Sequence, residues 1–150
     1  MTFARLLASG FGSGFVPGAP GTAGALLGLV LGIPLLLAPT GVLALAALLI
    51  SVLGLWAISA AHVEGDPGWV VIDEIAGQWI ALLGLAHPTV PGLLAAFLLF
   101  RLLDIVKPGP VGWADRQGGA AGIMADDLIA GGIAAGILWA VGQYRPGLLG

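Results

Sequence analysis

The chain has 150 residues, of which 59% are apolar and 9% charged, and its mean hydropathy is +1.07. A soluble domain carries roughly 25% charged residues, so this composition describes a membrane protein, and its length suits a single domain. A formal charge of -3 leaves no basic surface for nucleic acid, and the lack of cysteine excludes disulfides, thiolate metal sites and cysteine-based phosphatase chemistry.

Arg5-Leu6-Leu7 is followed by a Gly/Ser/Pro tract from Ser9, not by the 7–15-residue apolar core of a cleavable leader. No signal peptide is expected. Residues 9–22, SGFGSGFVPGAPGT, read as loop, because Pro17, Pro20 and the interspersed glycines disfavour helix and strand. Thr22 is the expected N-cap of a first membrane helix over 23–38, in which Pro34 is tolerated as a kink. Gly24, Gly28 and Gly32 recur at i+4 and line one face, so another helix, of this chain or of a second copy, can approach along it. Pro39-Thr40-Gly41 is a turn, and residues 42–62 form a second span, long enough to cross.

A polar loop, 63–70, contains Glu64, Asp66 and Pro67. Asp73-Glu74 then opens a third apolar segment to about Leu85, and His87-Pro88-Thr89-Val90-Pro91 turns the chain into a fourth, 92–106. This pair is short and reads equally as a tilted or a re-entrant hairpin. Residues 107–125 are expected to be Gly/Pro-rich loop, and 126–143 the last span. The expected fold is therefore all-α: an integral membrane bundle of about four to five short hydrophobic helices with Gly-rich cytoplasmic loops.

Apart from Arg5 and Arg145, every charged residue falls in four clusters: Glu64 to Glu74, Arg101 to Lys107, Asp115-Arg116 and Asp126-Asp127. If all five segments cross, these clusters and the N-terminal glycine loop meet on one side. Arg5, Lys107 and Arg116 stand there against Arg145 opposite, which makes that side cytoplasmic by the positive-inside rule.

Carboxylates are costly in lipid and mark function by default. An acid at a helix start can merely cap it, a gain of about 0.3–1 kcal/mol. Asp73-Glu74 and Asp126-Asp127, each expected at a helix start, together with Asp104 near the end of another segment, exceed what capping needs. They are the candidate ligands of a shared cation. Oxygen ligands without cysteine suit Mg²⁺ or Mn²⁺ and not Zn²⁺. Arg101 and Asp104 share a helix face and can simply pair; otherwise Arg101 and Lys107 hold an anion, with phosphate the natural guest. Pro108 biases Lys107 out of the helix, to the mouth of the site. The amides around Gly12, Ser13 and Gly14, with the helix start at Thr22, can form an anion nest or a plain flexible loop. A second glycine stretch, 117–122, reads as a hinge or a further binding loop. His87 belongs to the far side, His62 is a weak proton-transfer candidate, and Trp69, Trp79, Trp113 and Trp139 read as interface anchors or core.

An ordered set of motifs runs from Gly10 to Gly131. It comprises Gly10-Phe-Gly-Ser-Gly14, Pro20-Gly-Thr22, Asp66-Pro67, Val71-Ile-Asp-Glu-Ile-Ala-Gly77, and Phe100-Arg-Leu-Leu-Asp-Ile-Val-Lys-Pro-Gly-Pro110. Asp115-Arg116 and Gly122-Ile-Met-Ala-Asp-Asp-Leu-Ile-Ala-Gly131 complete it. The set resembles the phosphatidylglycerophosphatase A family of bacterial membrane lipid phosphatases. That resemblance implies Mg²⁺-dependent hydrolysis of phosphatidylglycerophosphate to phosphatidylglycerol and inorganic phosphate, at the cytoplasmic face of the bacterial inner membrane. Its catalytic residues would be Asp73, Glu74, Asp104, Lys107 and Asp127, with Asp126 joining the four acids as a metal ligand. Gly12, Ser13, Gly14, Thr22, Arg101, Lys107 and Asp115 would bind substrate, Asp115 also serving as candidate acid for the leaving oxygen. The nucleophile stays open between a water and an aspartate. The rival expectation is a small ion or proton transporter, although its carboxylates belong at the bilayer midplane, whereas these cluster at segment ends.

Overall fold

The computed structural model describes residues 1–39 and 41–150 and contains, among them, seven α-helices and no strand. These are α1 (Phe3–Ala8), α2 (Pro20–Leu37), α3 (Val42–Ala60), α4 (Ile72–Leu82), α5 (Val90–Val106), α6 (Pro110–Asp115) and α7 (Gly119–Tyr144). Helices α2, α3 and α7 are each long and apolar enough to cross a bilayer. The expected helical membrane bundle is observed. Thr40, within the expected 39–41 turn, lies outside the described residues.

Helix boundaries follow local chemistry. Pro20, at the first helical position, starts α2 with Ala19 as its cap, so Thr22 lies inside the first turn and is not the N-cap expected. Thr89 caps α5 by accepting the Gly92 N–H at 3.2 Å. Lys107 ends α5 in the left-handed region at φ 50°, out of the right-handed helical conformation that Pro108 disfavours for the residue before it. The 107–125 stretch is not continuous loop: α6 occupies 110–115, and α7 starts at Gly119. Once Gly118 and Gly119 have turned the chain at positive φ, Ala120, Ala121, Met124 and Ala125 are good helix formers, and nothing stops propagation.

The short α4 is the centre of the bundle. At 11 residues it is about 16 Å long, and eight of its residues are buried. The glycine strip of α2 packs against it, within the chain. A Cβ at Gly24 would strike Val71, one at Gly28 would crowd Ile75 and Gln78, and one at Gly32 would strike Leu82. Trp79 fixes the register by donating its indole N–H to the Gly28 carbonyl at 2.8 Å. On the other flank, Gly131 of α7 presses on the Gly77 carbonyl, and Gly77 lies under Phe100 of α5. These contacts make α2, α4 and α7 parallel, with α3 and α5 returning between them.

Two ends result. The 83–88 turn lies beside Leu35–Pro39 and Gly41, lining one cavity, and beside Trp139 and Leu149, lining another. The opposite end gathers α1, the 9–19 segment, the 63–71 loop, α6 and the start of α7. The α4–α5 pair thus reaches the same end of the bundle as the α2–α3 connection. The apolar pattern is turned outward: Leu48 and Leu98 are 61% and 63% exposed, whereas Asp127 is 2% exposed. A bundle that presents leucine and hides carboxylate has lipid as its solvent.

Candidate active site

Three helices deliver the acids. Asp73 and Glu74 occupy the first turn of α4, where a macrodipole role alone would leave them facing water. Instead Asp73 is buried, with Glu74 nearly so. Asp104 comes from the last turn of α5. Asp126 and Asp127 lie about two turns inside α7, not at its start as expected, so capping cannot account for them. Gly77 lets α4 and α7 approach closely, since a Cβ there would sit 2.7 Å from the Asp127 carbonyl oxygen.

All five acids converge. Oxygens of Asp73, Glu74 and Asp127 lie within 4.8 Å of one another, and so do those of Asp104, Asp126 and Asp127. Asp127 belongs to both groups. Two cations border them. Arg101 pairs with Asp104, the partner three residues on that helical spacing predicts, and its guanidinium is 3.9 Å from Glu74. Lys107 donates to Asp126 at 2.7 Å and to Asp115 of α6. Partial burial alone would lower the Lys107 pKa. The hydrogen bonds and charges of Asp115 and Asp126 outweigh it and hold the ammonium well above its ordinary value.

The donor set fits a hard cation. Asp73 Oδ1, Glu74 Oε2 and Asp127 Oδ2 are buried and have no hydrogen-bond partner. A buried, unpaired carboxylate costs several kcal/mol, and two cations are shared among five acids, three of which keep an oxygen without a partner. Oxygen-only ligands at this spacing suit Mg²⁺ or Mn²⁺.

The N-terminal glycine loop behaves otherwise than expected. The amides of Gly12 and Gly14 both donate to the Ser9 carbonyl, that of Ser13 donates to Gly10, and the Ser13 hydroxyl also goes to Gly10. These donors are spent inside a compact turn, so Gly12, Ser13 and Gly14 form no open anion nest. The turn instead wedges against the 69–71 segment, where Val71 donates to the Ala8 carbonyl at 2.9 Å and Phe15 stacks on Trp69. Thr22 makes no capping bond, and its neighbour Gly21 is the residue that borders the site. A Cβ at Gly21 would collide with Glu74 Oε1 and sit 3.2 Å from the Arg101 guanidinium. A glycine directly after the helix-starting Pro20 was the available signal. Gln78 was also missed. It lies one turn beyond Glu74 on α4, fully buried, with neither amide atom partnered. Its i+4 spacing from Glu74 was the only hint. His62 and His87 are both exposed, His87 in the turn at the far end.

Fold and site together define a helical membrane protein whose polar centre pairs a carboxylate cluster with two basic side chains. The family model for phosphatidylglycerophosphatase A matches residues 6–142. Phosphatidylglycerophosphatase A of Escherichia coli K12 is 38% identical over 146 residues, covering 95% of this chain and 85% of that protein. The Haemophilus influenzae protein of the same name is 37% identical, covering 93% and 88%. A protein of Bacteroides thetaiotaomicron named putative phosphatidylinositol-3-phosphatase is 43% identical, covering 95% and 94%. No solved structure matches the chain. The chain belongs to the phosphatidylglycerophosphatase A family, and is thereby a phosphatase acting on phosphate monoesters.

Proposed function

We propose that this protein hydrolyses phosphatidylglycerophosphate to phosphatidylglycerol and inorganic phosphate, with Mg²⁺, at the cytoplasmic face of the bacterial inner membrane. The observation that carries the reading is the juxtaposition of orphaned buried carboxylate oxygens with Arg101 and Lys107 at one end of an apolar bundle. A lipid whose tails stay in the leaflet can present a phosphomonoester there. Carboxylates gathered at one end of the bundle also favour surface chemistry over ion transport.

The ion would lie among the carboxylates of Asp73, Glu74, Asp104, Asp126 and Asp127. When bound, Mg²⁺ would neutralise charge on the phosphoryl oxygens. Arg101 offers a planar fork to two of those oxygens, and Lys107 a point charge to a third. Such fixed positive charge is the main lever in phosphoryl transfer, which needs little covalent help from the protein. The bond between phosphorus and the headgroup glycerol oxygen breaks, that oxygen leaves with a proton, and the oxygen of water ends on phosphate. Asp115 accepts a hydrogen bond from Lys107, which suits an ionised carboxylate orienting the ammonium better than an acid protonating the leaving group.

The test is phosphate release from phosphatidylglycerophosphate by detergent-purified protein, with Mg²⁺ and with EDTA, beside Asp127→Asn. Activity should need the metal and fall by orders of magnitude in the folded variant. No release by lipid-supplemented wild-type protein overturns the reading. The name of the 43% identical relative makes phosphatidylinositol 3-phosphate the comparison substrate, and faster turnover of it would reassign the headgroup.

A further inference from the structure

The five acids are not equivalent, and their partners divide them. The three oxygens left without a partner belong one each to Asp73, Glu74 and Asp127, and these three residues form one of the two close carboxylate groups. Glu74 reaches only the edge of the Arg101 guanidinium, at 3.9 Å through its other oxygen, Oε1, whereas in the other group Asp104 is hydrogen-bonded to Arg101. Asp126 is paired with Lys107 through Oδ2 and accepts the Asp127 N–H at 3.0 Å through Oδ1. No oxygen of Asp104 or Asp126 is buried without a partner among the described residues.

A buried carboxylate already bonded to a guanidinium or an ammonium has its charge offset and that lone pair used. To ligate a cation as well, it would have to release its partner or bring two positive charges together in a low-dielectric site. The oxygens without a partner pose the opposite problem: a carboxylate that stays ionised there needs a bound cation to offset its charge.

We infer that the divalent cation is held by Asp73, Glu74 and Asp127 alone, and that Asp104 and Asp126 are positioning residues that aim Arg101 and Lys107 at the phosphoryl group. The division rests on the metal-phosphatase reading above. Asp127, common to both groups, is the joint between the cation half and the anion half. The arrangement supplies positive charge to an incoming phosphate from two sources: the ion, held by acids of α4 and α7, and the two side chains, both from the C-terminal end of α5.

Mn²⁺ alone is the probe, because the free ion's paramagnetic resonance signal falls as protein binds it, with no turnover needed. Removing one acid lowers affinity through loss of charge as well as loss of a ligand, so the anion half is neutralised in pairs. Arg101→Gln with Asp104→Asn, and separately Lys107→Gln with Asp126→Asn, each leave the net charge unchanged. Asp73→Asn and Asp127→Asn should weaken Mn²⁺ by more than the roughly 10–100-fold that loss of an outer-shell partner costs. The paired variants should keep Mn²⁺ affinity within about tenfold, while the KM for the lipid phosphate rises sharply. Either pair, if folded by its thermal melt, suffices for the test. Loss of Mn²⁺ in a folded paired variant to the same degree as in Asp73→Asn makes Asp104 or Asp126 a ligand and overturns the division, leaving the phosphatase reading intact. Wild-type protein that binds no Mn²⁺ overturns both.

Discussion

Gln78 is buried with neither end of its amide bonded, one turn along α4 from Glu74. Leaving such a group unsatisfied costs about 1–3 kcal/mol. Gln78→Met keeps the length and removes the polar atoms, so it should raise the melting temperature in detergent by about 2–4 °C, the shift worth about 1 kcal/mol in a chain of this size. A lower melting temperature instead shows that ordered water or the site itself satisfies the amide. Gly21 makes the opposite prediction. Its Cβ position is already taken by Glu74 and borders Arg101. Gly21→Ala should cut phosphate release at least tenfold, a displacement of about 1.4 kcal/mol in the barrier, while the thermal melt moves far less than it would for a core clash. Neither residue announces itself in the sequence, because a glutamine and a glycine in a helix take their meaning from what faces them. Lys107 and the Arg101–Asp104 pair were legible because local rules place them: a proline disfavours helix at the residue before it, and three residues bring two side chains to one helix face.

Helix α7 separates tertiary from intrinsic effects at adjacent positions. A Cβ on Gly131 would collide with the Gly77 carbonyl of α4, whereas one on Gly132 meets nothing within 4 Å. Alanine is favoured over glycine in a helix by about 0.5–1 kcal/mol, so Gly132→Ala should raise stability by that amount. Gly131→Ala forces α4 and α7 apart and should cost about 1–3 kcal/mol, the usual penalty of overpacking. It should also impair catalysis, because the same approach sets Asp127 beside Asp73. Paired thermal melts in detergent check the first difference, and phosphate release the second. Segment positions were readable from apolar run lengths, and the observed helices follow them closely. The start of α7 was not, since Gln117-Gly118-Gly119 looks like the middle of a loop. Only Gly118 and Gly119 turn, and the alanines beyond simply propagate the helix. The glycine loop at 10–14 failed as an expected nest for a comparable reason. Sequence shows how many amides a turn offers but not that Ser9, buried behind it, takes two of them.

Across the whole molecule the segregation of charge was legible before any coordinates, since five apolar runs of alternating direction force alternate connections to one end. The structure gathers the acids, Arg101 and Lys107 at one end, and the 83–88 turn beside Leu35–Pro39 at the other. What composition cannot supply is whether α4, only 11 residues long, carries its turn across the bilayer or stops within it. A membrane core of about 30 Å exceeds the roughly 16 Å of α4, but the 83–89 residues extend it. The absence of cysteine makes the question directly measurable by single-cysteine labelling with a membrane-impermeant maleimide. Glu64→Cys and Gln117→Cys, both exposed at the site end, should react in inverted vesicles and resist labelling in spheroplasts. His87→Cys and Leu148→Cys, exposed at the far end, should show the reverse. If His87→Cys instead reacts from the same side as Glu64→Cys, the α4–α5 pair re-enters without crossing. The far-end turn would then lie at the bottom of a water-filled depression on the site's side. Reaction of Glu64→Cys only from outside would turn the whole protein over and place the phosphatase site away from the cytoplasm, against the positive charge of Arg5, Lys107 and Arg116.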